Sequence, residues 1–125
     1  MGKAIEIEVG GIALEAVLND SRTAEAIWET LPLTARGNTW GGEIYFTTPL
    51  DLGLETGQEV VEAGALGYWP PGNAFCIFFG PTPMSQGEEV RPASAVTVIG
   101  RVVGDQAILK GVSSGTEITV RKRPG

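Results

Sequence analysis

Histidine is absent from this 125-residue chain, and cysteine occurs only once, at Cys76. These two shortages exclude the usual Cys/His zinc sites, Ser-His-Asp and Cys-His catalysis, and a disulfide within the chain. Walker, dinucleotide-binding and calcium-loop motifs are also missing, so the sequence indicates no metal and no cofactor. Cys76 lies within an apolar run, where a free cysteine is expected to pack as a small hydrophobic residue.

The chain also lacks a long apolar run. Its longest, residues 74–79, is far shorter than the roughly 20 residues that cross a bilayer, and Glu6 and Glu8 interrupt any signal-peptide core. We therefore expect a cytoplasmic protein with no membrane partner. The formal net charge of −6 disfavours nucleic acid as a partner, and the basic residues 121–123 are expected to be the solvated end of a last strand.

The residues that are present have the composition of one globular domain over residues 1–125, with 42% hydrophobic and 19% charged side chains. Residues 4–18 alternate apolar and polar around Gly10-Gly11, which predicts an opening β-hairpin. Residues 24–31 then change to helical spacing, with capping candidates at positions 20, 21 and 23 and a stop at Pro32. The sequence thus predicts one main helix after the first hairpin.

Short strands separated by turns are predicted for the remainder of the chain. Residues 36–38 predict a turn, and Gly41-Gly42 predicts a flexible entry into a strand over residues 43–47. Residues 70–73 predict a tight, preformed loop. Residues 74–79 are apolar on both faces, which indicates a central strand covered on both sides.

The last third of the chain continues the pattern. Residues 84–92 form the longest loop, a place where binding residues often lie. Strands are predicted over residues 95–103 and 116–122, and Asp105 is placed to cap a short helical turn over residues 106–110. About seven or eight short strands with one main helix predict a mostly β fold, a closed antiparallel barrel.

Three segments carry a family resemblance. Residues 40–46 (WGGEIYF), 67–73 (GYWPPGN) and 76–83 (CIFFGPTP) resemble the signature of small prokaryotic cyclophilin-like proteins of unassigned function. The resemblance covers nearly the whole chain and implies an eight-stranded closed cyclophilin-like barrel. It does not imply isomerase activity, because the Phe-His-Arg and Phe-Gln-Gly-Gly segments that line the proline pocket of active cyclophilins are both missing.

Six residues are candidates for a binding cleft. Trp40, Tyr45 and Trp69 lie next to turns and combine a large apolar ring with a polar atom, and we place Phe79 beside them as a cleft wall although phenylalanines more often fill a barrel. Arg36 is placed at the rim of the cleft. The alternative interpretation is that Arg36 is an ordinary turn arginine exposed to solvent. Glu43 is a lone carboxylate next to the glycine pair. It can serve as an acid or base only if its pKa is raised.

These features leave three functions open, with catalytic residues unknown. The first is a binding module that holds a peptide or a small organic anion in the aromatic cleft. The second is a prolyl isomerase with a non-standard site, in which Arg36 substitutes for the usual donor. The third is a structural role, in which an exposed Trp69 and the neighbouring prolines form a contact in a homo-oligomer.

Overall fold

One antiparallel β-sheet dominates the described part of the chain, residues 2–123 of the computed structural model. In chain order its elements are β1 (Lys3–Val9), β2 (Ile12–Leu18), α1 (Arg22–Thr30), β3 (Leu33–Arg36), β4 (Asn38–Trp40), β5 (Glu43–Thr47), β6 (Gly57–Gln58), β7 (Ala65–Trp69), β8 (Ala74–Phe78), β9 (Val96–Val103) and β10 (Glu117–Lys122). Two 3₁₀ turns, Pro70–Gly72 and Gln106–Gly111, complete the secondary structure. The prediction of a mostly β fold is confirmed.

The sheet is not closed by hydrogen bonds. Its strand order is β3-β10-β1-β2-β9-β7-β8-β5-β4, with β6 paired to β9, so β3 and β4 are the two ends. No ladder joins these ends within residues 2–123, and the predicted closed barrel is therefore not confirmed. Instead, β3 and β4 follow one another in the chain with only Gly37 between them.

Gly37 passes straight from one end of the sheet to the other. Its N–H donates to the Thr116 carbonyl and its own carbonyl accepts from the Gly115 N–H, both at 2.8 Å. The turn predicted at residues 36–38 is therefore wrong. The glycine suits the packing here, because a Cβ atom on Gly37 would lie less than 3.0 Å from the Cδ1 atom of the buried Ile118, which would have to shift.

The opening hairpin and the helix are confirmed. Val9 pairs with Ile12 across the two-residue turn at Gly10-Gly11. Helix α1 begins after Ser21, whose hydroxyl accepts the Ala24 N–H at 3.1 Å, and it ends before Pro32 as expected. Among the described residues, no helix is both long enough and apolar enough to span a membrane.

Two groups of buried side chains form on the opposite faces of the sheet. The main cluster contains Ile44, Phe46, Phe75 and Ile77 together with the buried residues of α1. A second cluster on the other face consists of Val61, Ala65, Ala74, Cys76, Phe78, Val90 and Val96. Because β8 supplies residues to both clusters and is buried throughout, the prediction of a two-sided central strand is confirmed.

The glycine pair Gly41-Gly42 is a tightly held hairpin turn between β4 and β5. The Gly42 N–H donates to the Pro81 carbonyl at 2.7 Å, and the Gly42 carbonyl accepts from the N–H groups of Phe79 and Gly80 at 2.7 and 3.1 Å. The expectation of a flexible entry is thus wrong. This backbone contact, which we call the Gly42–Gly80 contact, fixes the start of the loop over residues 79–95 against the hairpin.

We expect Gly42→Ala to destabilise the fold by about 1–3 kcal/mol, because the added Cβ would lie less than 3.0 Å from the Gly80 backbone. Urea denaturation followed by circular dichroism measures the loss. Gly53→Ala is the matched control, since a Cβ there meets open space, and its effect should stay within about 0.5 kcal/mol. Equal stability of the two variants would contradict the packing role of Gly42.

Candidate functional site

A small pocket opens where the β4–β5 hairpin, the end of β7, the start of β9 and the loop over residues 79–95 meet. Its volume is about 240 Å³. Its lining consists of Trp40, Glu43, Tyr45, Trp69, Pro92, Ala93 and Val96. Four of the six residues predicted for the cleft therefore converge on one site.

The strand register explains why these side chains share one face. Trp40 pairs with Glu43 across the β4–β5 hairpin, and Tyr45 follows two residues after Glu43, so all three point to the same side of the sheet. Trp69 of β7 pairs with Ala74 of β8, a residue of the second cluster, so its side chain lies on the same side of the sheet. This is the face of the second cluster, which forms the floor behind the pocket.

The Trp69 ring is held by contacts on two sides. Its Nε1–H donates to the Ser94 hydroxyl at 2.7 Å. A Cβ atom on Gly72 would lie 2.9 Å from the ring carbons, so the close approach requires glycine at this position. Asn73 adopts the left-handed conformation and closes the 3₁₀ turn, which confirms the preformed loop predicted at residues 70–73.

The loop over residues 79–95 supplies the remaining wall. The Thr82 hydroxyl donates to the Arg91 carbonyl, and the Ser85 hydroxyl accepts from the N–H groups of Thr82 and Arg91 at 2.9 and 3.2 Å. These bonds tie the two ends of the loop together just before Pro92, which is buried against the pocket. The Arg91 side chain forms an ion pair with Glu89 at 2.6 Å.

Glu43 is the charged side chain of the pocket. It is only 6% exposed, and none of the ion pairs within residues 2–123 involves it. Burial raises the pKa of the Glu43 carboxyl above its ordinary value of 4.5, while a weak contact with the Cys76 thiol acts in the opposite direction. The site therefore holds a carboxyl group without a basic partner.

Cys76 lies behind Glu43 and is not suited to nucleophilic chemistry. It is buried, as expected, and the pKa of its thiol is raised well above the ordinary value of 9.0 by that burial and by the neighbouring Glu43 carboxylate. Because the thiolate is the reactive form, the group stays protonated and inert. The structure thus supports the packing role predicted for this cysteine.

Arg36 and Phe79 do not line the pocket. Arg36 is exposed at the end of β3, and its Nη1–H donates to the Gly115 carbonyl at 2.9 Å. Phe79 is 8% exposed and packs in the main cluster on the opposite face. No arginine lines the pocket among the described residues, so the isomerase alternative lacks the donor on which it depends.

Three lining residues were not singled out from the sequence. Pro92 lies in the longest loop of the sequence, where binding residues are expected, so loop length was a signal that could have identified it. Ala93 and Val96 carry no reactive group and had no signal. A larger, more open depression of about 730 Å³ lies beside β2 and β9, but its charged residues Asp20, Glu62 and Arg101 are exposed to solvent.

We expect Glu43→Gln to raise the melting temperature at pH 7 by roughly 3–5 °C, about 1 kcal/mol for a domain of this size. Since the folded-state pKa lies above 4.5, the folded protein binds this proton more tightly than the unfolded chain, and its stability declines as pH rises through that folded pKa. The gain should therefore vanish below pH 4.5.

Thermal melts of both proteins across this pH range check the expectation. Glu88→Gln removes the same charge from an exposed position in the loop and should leave the melting temperature unchanged. If Glu43→Gln melts at or below the wild-type temperature at pH 7, burial of the carboxyl does not cost the fold stability.

Comparison with known proteins gives a family-profile match and matches among solved structures. The sequence profile of the cyclophilin-like family matches residues 3–121. The solution structure of a hypothetical protein from Archaeoglobus fulgidus superposes with a TM-score of 0.83 at 40% sequence identity, covering 98% of this chain and 95% of that one. No curated protein sequence matches the chain. The chain therefore belongs to the cyclophilin-like family.

Proposed function

We propose that this protein is a binding module that holds a small organic molecule, or one side chain of a peptide, in the pocket walled by Trp40, Tyr45 and Trp69. The observation that carries the proposal is an open pocket that combines three aromatic side chains with a buried carboxyl group. Binding sites are typically apolar cavities with a few well-placed polar groups. The similar protein of Archaeoglobus fulgidus is described only as hypothetical, so its description names no ligand.

The dimensions of the pocket favour a small occupant. Its volume of about 240 Å³ lies below the roughly 300–1,000 Å³ that is usual for drug-sized ligands. A metabolite fragment or a single amino-acid side chain fits this range, whereas a peptide would place only one residue inside.

The walls are fixed before a ligand arrives, which favours binding. Trp69 is held by Ser94 and by the close approach of Gly72, and Pro92 is held by the bonds between Thr82, Ser85 and Arg91. A site that is already ordered loses less conformational entropy when it binds.

We also infer that the sheet is as stiff as a closed barrel. Its two ends, β3 and β4, are one continuous extended segment through Gly37, so the chain itself connects the edges that hydrogen bonds leave open. The pocket then lies on a stiff scaffold, which is the arrangement expected of a binding surface.

We expect at least one compound from a metabolite and peptide library to raise the melting temperature, and we expect Trp69→Ala to weaken its binding at least tenfold, as loss of a central aromatic contact usually does. Tryptophan fluorescence reports on the site, because two of the three tryptophans line it. The ligand should alter the emission of the wild type.

Trp28→Phe is the matched control for this measurement. Trp28 packs beneath Lys3 and Lys122, outside the pocket, so the variant should keep both the affinity and the ligand-induced change in emission. Failure of the whole library to stabilise the protein, or unchanged affinity in Trp69→Ala, would contradict the proposed function.

A further inference from the structure

The charge inside the pocket is negative and has no counter-ion from the chain. Glu43 is 6% exposed and contributes the one ionisable carboxyl of the lining, and no lysine or arginine of residues 2–123 faces it. The one arginine of the loop over residues 79–95, Arg91, is already paired with Glu89. Because an isolated carboxylate is strongly disfavoured away from water, a cation in the pocket would supply the missing partner.

The walls of the pocket favour the same kind of ligand. Trp40, Tyr45 and Trp69 line the pocket, and the face of an aromatic ring carries the negative side of its quadrupole, which attracts positively charged groups. Cages of aromatic rings are a common recognition site for quaternary ammonium groups. The sequence prediction of an organic anion depended on Arg36 at the rim. Because Arg36 does not line the pocket, such an anion would be repelled by the Glu43 carboxylate.

We infer that the pocket binds an organic cation, with a compact ammonium or guanidinium group placed between Trp40, Tyr45 and Trp69 and paired with Glu43. This inference rests on the proposed function, since it names the class of ligand that the binding module accepts. The cation neutralises the carboxylate, and its alkyl groups contact the rings. A free metabolite and the side chain of a peptide share this chemistry.

The inference also requires that cation binding depend on pH. The carboxyl must be ionised to pair with a cation, so affinity rises as pH rises through the pKa of Glu43. The other titratable groups facing it are the Cys76 thiol of β8 and the Tyr45 hydroxyl of β5, while β4, β9 and residues 92–93 contribute none. Burial and the Glu43 carboxylate raise the pKa of the Cys76 thiol well above 9.0, so the thiol adds no charge to the pocket where Glu43 titrates.

Matched probes of equal shape and different charge test the inference. Choline is compared with its neutral isostere 3,3-dimethylbutan-1-ol, and methylguanidinium with methylurea, by calorimetry and tryptophan fluorescence on the full chain. We expect at least one cation to bind ten or more times more tightly than its neutral partner. Glu43→Gln should lower this preference at least threefold, because the preference that remains then comes from the rings alone, while Glu88→Gln should keep the wild-type ratio.

A second variant separates the contribution of the rings from that of the charge. Trp69→Leu keeps an apolar wall but removes one aromatic face, so we expect it to reduce the ratio of choline affinity to isostere affinity at least threefold. Circular dichroism confirms that each variant is folded before binding is measured.

The possible results have distinct meanings. Equal binding of cation and isostere, or a preference that Glu43→Gln leaves unchanged, overturns the cation inference and leaves the proposed binding function standing. The inference is also overturned if both cations fail to bind at millimolar concentration, whatever the library screen finds. The proposed function fails if that screen identifies no ligand, or if Trp69→Ala leaves the affinity for the ligand found unchanged.

Discussion

The Gly42–Gly80 contact sets the β4–β5 hairpin against the loop over residues 79–95, and these two segments supply most of the pocket lining. The Gly42 carbonyl receives two N–H groups from residues 79 and 80, and no side chain separates the two segments. On one side of the contact the chain continues directly into Glu43. On the other side it continues into the loop over residues 79–95, which contains Pro92. Side chains far apart in sequence are therefore placed by one short stretch of backbone, which requires glycine on the hairpin side.

We expect that arrangement to reduce stability. Burial in an apolar surrounding disfavours the ionised form of a carboxyl group, and this burial raises the pKa of Glu43. A glutamine or an aliphatic side chain would fit the second cluster with less penalty, so packing alone does not explain an acidic residue at this place. Unfavourable burial of a charged group near an open cavity is typical of functional sites, where stability is given up for chemistry.

Much of the fold could be predicted because its signals are local. The turn at Gly10-Gly11, the helix before Pro32 and the loop over residues 70–73 follow from backbone preferences of a few neighbouring residues. The errors have a common cause in distant contacts. Gly37 is present because of Ile118, more than 80 positions away, and Gly42 because of Gly80. Arg36 was placed in the cleft only through the turn wrongly predicted beside it.

The choice of cysteine at position 76 bears on how available the Glu43 carboxylate is. A serine hydroxyl there, if it reached the carboxylate, would be a stronger donor than a thiol and would lower the pKa of the carboxyl. The thiol is a weak donor that contacts the Ala74 carbonyl at 3.8 Å, and its own pKa is raised by burial and then by Glu43, so it does not protonate its neighbour. Alanine would leave an empty space in the second cluster. Cysteine fills that space and leaves the carboxylate in need of a partner, a need that a bound cation would meet.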